Sequence, residues 1–247
     1  MDFYVALRFL TVLPLPDRPV KPEQMARSTA YFPLVGLMIG LAVAGVDYVL
    51  RLVWPPSVAT VGVLIAFILI SGGLHLDGLM DSCDGLFGRR DPAKRLAIMR
   101  DSRVGSFGVL GAVAVLLLEY VALAELPVTL RIGAIVTFAC LGRWALVLAI
   151  WGFPYARAEG LGSAFKAGVG PLQVAVAGAT AVAVAIIVAQ SAGIVLVGTA
   201  VGATLLVAAF TRTRIPGLTG DSYGAIEVMV ELTVLLTLLA LARVGYA

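Results

Sequence analysis

Apolar residues run along this chain in blocks of about 20, broken by short stretches rich in glycine, proline and charge. At a rise of about 1.5 Å per residue, such a block crosses the hydrocarbon layer of a bilayer as a helix. Seven blocks are expected to span: Tyr31–Val53, Val58 onward into a polar motif at 77–84, Val104–Glu125, Arg131–Phe153, Pro171–Ala189, Gly193–Phe210 and Ala225–Ala242. Trp54-Pro55-Pro56 stops the first, and the boundary between the fifth and sixth rests on Gln190-Ser191-Ala192-Gly193. Ahead of them, Phe3–Leu13 is interrupted by Arg8 and ended by Pro14 and Pro16. It is too short to span and reads as interfacial or re-entrant, with no cleavable signal expected. The expected fold class is all-α, a polytopic integral membrane helix bundle of about seven transmembrane helices, as one membrane-embedded domain over residues 1–247.

Composition supports this pattern. The chain is 60% hydrophobic and 13% charged, against about 25% charged in a soluble domain. Cys83 and Cys140 fall in or beside apolar blocks and suggest neither a disulfide framework nor a zinc site. The basic residues set an orientation. With the N-terminus on one side, that side holds Arg8, Arg18, Lys21, Arg27, Arg89, Arg90, Lys94, Arg95, Arg100, Arg103, Arg157, Lys166, Arg212 and Arg214. These are 14 of the 18 lysines and arginines. Arg51, Arg131 and Arg243 fall opposite, and Arg143 lies inside a span. An odd number of spans with a cytoplasmic N-terminus follows, so the polar motif ends the second span on the cytoplasmic side.

That motif is Gly72-Gly73-Leu74-His75-Leu76-Asp77-Gly78-Leu79-Met80-Asp81-Ser82-Cys83-Asp84-Gly85. At about 100° per residue, Asp77, Asp81 and Asp84 share a helix face within an arc of about 60°. Three like charges on one face repel. A hard divalent cation such as Mg²⁺ would offset that; the plainer reading is a solvated polar face. His75 falls about 160° from this face and is expected to pack or bond locally.

The following loop reads as a short helix with Asp91 as N-cap and Pro92 at N1. Leu96, Ile98 and Met99 would dip toward lipid. Arg89 and Arg90 suit anionic lipid, whereas Arg95, Arg100 and Arg103, near Asp101, suit a phosphate. A second polar cluster opens the last span, Gly217 to Glu231. Asp221 is a candidate helix cap, or a partner of the Asp face. Glu227 and Glu231 lie at i, i+4 inside an apolar helix, where carboxylates are costly and mark function by default. Arg143 would pair with a buried carboxylate or reach a phosphate; Asp47 and Glu119 serve structure. The turn from Tyr155 to Ser163 carries the glycines and single arginine, Arg157, of a phosphate-contacting loop.

The Asp motif, followed by Arg95-Leu96-Ala97-Ile98-Met99-Arg100-Asp101-Ser102-Arg103-Val104-Gly105, resembles the cobalamin 5′-phosphate synthase family, the adenosylcobinamide-GDP ribazoletransferases. The resemblance extends to Phe32-Pro33-Leu34-Val35-Gly36-Leu37, Tyr155-Ala156-Arg157 with Gly160-Leu161-Gly162, and Thr219-Gly220-Asp221 with Gly224-Ala225 and Glu227. One departure falls at Val12, where the family often has arginine.

The resemblance implies a multi-pass inner-membrane enzyme joining adenosylcobinamide-GDP to α-ribazole or its 5′-phosphate, with Mg²⁺, releasing GMP. The lipid bilayer is its setting, no nucleic acid is a partner, and an oligomer is left open. In that chemistry Asp77, Asp81 and Asp84 would hold metal, and Arg95, Arg100, Arg103 and Arg157 with Asp221 and Glu227 would face substrate. Asp84 or Asp101 would take the hydroxyl proton. A CDP-alcohol phosphotransferase is the nearest rival, but Met80-Asp81 stands where that family has Ala-Arg. A cation transporter would place its carboxylates near midplane, often within repeats.

Overall fold

In the computed structural model, residues 1–88, 91–157 and 160–246 are described. Arg89 and Arg90, and part of the Tyr155 to Ser163 turn, lie outside them. Among the described residues all regular structure is helical, save one isolated bridge between Tyr155 and Leu218. Short α1 (Asp2–Leu10) and α2 (Pro22–Ser28) lead through a 3₁₀ turn into α3 (Phe32–Arg51). Then come α4 (Pro56–Ser71), α5 (Leu74–Leu86), short α6 (Pro92–Ile98), α7 (Ser106–Glu125) and α8 (Val128–Gly152). Short α9 (Leu161–Lys166), α10 (Pro171–Arg212) and α11 (Gly220–Arg243) complete the chain.

The α8 helix is the axis. Nearly every side chain from Ala134 to Ile150 is buried, because α3, α10 and α11 pack around it. Gly36 and Gly40 bring α3 onto it so closely that an added Cβ would meet the α8 backbone. Small residues at such a spacing are how helices approach where no water drives them together. At the far end Arg131 is fully buried on Asp47, which also pairs with Arg51 at 2.8 Å. Asp47 therefore serves structure, as expected.

The path through the expected seven spans has two breaks with physical causes. Among the described residues, five helices are long and apolar enough to cross a membrane, six if α4 and α5 count as one broken span. First, the second block does not run straight into the Asp motif. Gly72 (φ 64°) and Gly73 (φ 70°) both take the left-handed conformation, which side chains resist. The axis turns by 91° there. Second, the blocks ending at Ala189 and starting at Gly193 are joined in α10, whose backbone leaves helical geometry at Gln190 (φ 50°, ψ −126°). Gly193 packs against the carbonyl of Ala185, eight residues back. A straight helix would separate such positions by about 12 Å. The two arms of α10 therefore fold back on each other at the expected boundary.

Candidate active site

The bend at Gly72-Gly73 aims α5 across the end of the bundle, where it meets the start of α11. The crossing point is Gly78 against Gly224. An added Cβ on Gly78 would strike the Asp221 backbone, and one on Gly224 the His75 backbone. Two helices without side chains at their contact lie backbone to backbone, so the carboxylates of α5 come beside the first turn of α11. Asp77, Asp84 and Asp221 all act electrostatically on Asp81. Thr219, rather than Asp221, caps α11 by accepting from the Ser222 N–H at 3.1 Å. That leaves Asp221 to accept from Arg157 at 2.8 Å. The Arg157 loop is held there because Ala156 N–H donates to Leu218 O at 2.7 Å and Leu218 N–H to Pro154 O at 2.8 Å.

These groups line a cavity of about 240 Å³ whose wall includes Asp77, Asp221, Arg157, Tyr155, Tyr223 and Gly224. Asp77 also borders a wider groove of about 550 Å³ beside Gly72, Gly73 and Met80. The face is graded: Asp77 is exposed, Asp81 half-buried and Asp84 buried. Asp77 and Asp81 have no hydrogen-bond or ion-pair partner among the described residues.

Asp84 differs. Its carboxylate accepts from Gly105 N–H at 2.8 Å and Gly108 N–H at 2.9 Å, and so anchors the start of α7. A Cβ on either glycine would collide with it. We expect Asp84→Asn to destabilise the protein by about 1–3 kcal/mol, because an amide NH₂ would face an N–H where an acceptor is needed. Thermal unfolding in detergent reads this; a melt unchanged from the parent would remove the anchoring role.

The arginines also separate. Arg95 is buried and donates to the carbonyls of Gly85 (3.1 Å), Leu86 and Gly88 (2.8 Å), where it complements the C-terminal end of α5. Its geometry is that of a clamp on the Asp helix rather than a phosphate ligand. Met99 does not dip into lipid but packs under Gly85 with Leu86 and Ile215. Asp91 caps α6 through the Lys94 N–H at 2.9 Å, as its sequence predicts. Arg103 pairs with Asp101 in an exposed loop at 2.6 Å. That hydrogen bonding holds the Asp101 carboxyl down to about 2, which makes it a weak proton acceptor. With Asp84 committed to backbone N–H groups, neither expected base is well placed. Arg157 and exposed Arg100, which acts electrostatically on Tyr155, remain on the cavity side.

Glu227 does not join the Asp cluster. It is buried 2.8 Å from Arg143 and 3.0 Å from His75 Nδ1. Arg143 also pairs with Glu231, and its guanidinium lies 5.8 Å from the Phe67 ring centroid. Glu227 acts electrostatically on Glu119, which borders the same small void of about 50 Å³. This network braces α5, α8 and α11 from inside. His75 belongs to both cavities and is the link between them. The aromatic walls supplied by Tyr155, Tyr223 and Phe165 are not legible in the sequence, because they meet only through the fold.

Among the described residues, no three His, Cys, Asp or Glu side chains form a ready cage for a metal ion. The oxygen donors present still fit Mg²⁺, which typically takes one or two carboxylates and fills its shell with water and phosphate oxygens. Asp77 and Asp81, with Asp221 opposite, have that character.

The sequence model of the family described as cobalamin-5-phosphate synthase matches residues 2–239. Among curated proteins, the adenosylcobinamide-GDP ribazoletransferase of Desulforamulus reducens is 39% identical over 95% of this chain and 94% of its own. That of Geotalea daltonii is 39% identical over 97% of both chains. That of a Roseiflexus species is 38% identical over 94% of this chain and 87% of its own. No solved structure matches the chain. A match over nearly the whole length means that this chain belongs to the cobalamin-5-phosphate synthase family.

Proposed function

We propose that the chain transfers the cobinamide-phosphoryl group of adenosylcobinamide-GDP to a hydroxyl of α-ribazole or its 5′-phosphate. The products are adenosylcobalamin, or its 5′-phosphate, and GMP, in the last steps of cobalamin biosynthesis. The observation that carries this reading is the meeting of Asp77, Asp221 and Arg157 in the wall of one cavity, with Asp81 in their electrostatic reach, in a member of this family. A pyrophosphate to be split needs cationic groups near its oxygens and a fixed line of attack. Arg157, oriented by Asp221, would hold a phosphate oxygen. The Arg95 clamp and the Gly78–Gly224 contact hold α5 so that Asp77 and Asp81 face the same space. Mg²⁺ held by Asp77 and Asp81 would neutralise charge on the pyrophosphate and the leaving GMP.

The protein is proposed to sit in the cytoplasmic membrane with this end facing the cytoplasm, as the distribution of basic residues favours. A cysteine at Lys94 should resist an impermeant thiol reagent in intact cells and react after lysis; ready labelling from outside would invert the topology. The functional test is direct. Purified protein given adenosylcobinamide-GDP, α-ribazole and Mg²⁺ should form GMP and adenosylcobalamin in equal amounts. GMP released at the same rate without α-ribazole would indicate a hydrolase instead.

A further inference from the structure

We infer that the aromatic-walled cavity beside Asp77 is the subsite for the benzimidazole ring of the acceptor nucleoside, and that Tyr223 holds the ring's free nitrogen. The inference rests on the proposed reaction and assigns one of its two substrates to a place.

The cavity has two unlike ends. Around Asp77, Asp221 and Arg157 it is polar; Phe9, Phe32, Phe165, Leu146 and Ile150 give it an apolar lining. The three phenylalanines form one aromatic cluster, with centroids 4.7 to 5.8 Å apart. On the other wall Tyr155 and Tyr223 stack at 6.0 Å. Such walls take a flat ring by stacking and edge contacts. At about 240 Å³ the space lies below the range of about 300–1,000 Å³ usual for drug-sized ligands, so a corrin ring cannot enter. The open groove on the other side of Asp77 is the face available to the bulky cobinamide.

Both substrates carry a heteroaromatic base, and the hydrogen-bonding inventory separates them. Guanine presents an edge of donors and acceptors that an end walled by phenylalanine, leucine and isoleucine side chains would leave unpaired, at a cost. The dimethylbenzimidazole of α-ribazole, with one ring nitrogen bonded to ribose, carries no N–H or C=O on its edge. It has two methyl groups, suited to the apolar end, and one ring nitrogen free to accept. The wall has a matching donor: Tyr223 is 5% exposed and its buried hydroxyl has no hydrogen-bond partner among the described residues. With the ring in the aromatic end, the ribose points back toward Asp77, where its hydroxyl meets the phosphate of cobinamide.

The test is steady-state kinetics of GMP formation by purified protein, varying each substrate in turn. Leu146→Phe, which fills the apolar end, and Tyr223→Phe, which removes only the hydroxyl, should each raise the KM for α-ribazole about tenfold. The KM for adenosylcobinamide-GDP should stay within about twofold. Free 5,6-dimethylbenzimidazole should inhibit the parent protein competitively against α-ribazole and not against adenosylcobinamide-GDP. If the parent protein transfers ribazole but Tyr223→Phe leaves the α-ribazole KM unchanged, or raises both KM values together, the subsite assignment is wrong. If the parent protein transfers no ribazole, it is the proposed reaction that fails.

Discussion

Asp77→Asn and Asp81→Asn should each slow GMP formation by about 10²–10³-fold or more while the protein inserts and melts as the parent does. The substitutions keep shape and remove charge. Neither carboxylate bonds another described residue, so folding loses little by the change. Both lie in the electrostatic cluster with Asp221, and Asp77 stands where the aromatic-walled cavity meets the wider groove. Asp84→Asn is the internal contrast, since its main effect should be on stability. Near-parent rates in both Asp77→Asn and Asp81→Asn would refute a phosphotransfer role for this helix face.

Arg143→Met should unfold or nearly unfold the bundle, with a loss of about 3–5 kcal/mol. Arg143 is 1% exposed and stands between Glu227 and Glu231, with Glu119 acting on Glu231 from α7. Removing it leaves buried carboxylates with only His75 to offset them. In an apolar interior such groups have no water to turn to. Adding Glu231→Gln to Arg143→Met should recover part of the stability by removing one of those charges. Thermal melts in detergent separate this from catalysis. A single variant that melts like the parent but fails to turn over would move Arg143 into the reaction.

The sequence made the membrane class and the shared face of Asp77, Asp81 and Asp84 legible, because both depend on periodicity within one segment. It also placed the break near Gln190 and the cap at Asp91, which are local signals of polarity and turn chemistry. What it hid depends on contacts between distant segments. The 91° turn at Gly72-Gly73 requires two adjacent left-handed residues, and a glycine pair permits that without demanding it. Glu227 and Asp221 look like one cluster along the chain. About one and a half turns separate them, enough to send Asp221 to Arg157 and Glu227 to Arg143. Arg95 likewise resembles any loop arginine until the carbonyls at the end of α5 are seen around it.

The central claim is that α5 and α11 supply one site. The measurement that tests it most directly is the Mg²⁺ dependence of GMP formation in Asp221→Asn, read beside its thermal stability. A site shared across the Gly78–Gly224 crossing predicts that the variant needs more Mg²⁺ for half-maximal rate, or loses activity, while its melt is little changed. An Asp221→Asn protein that melts early yet keeps the parent's Mg²⁺ response would contradict it and leave Asp221 a structural partner of Arg157.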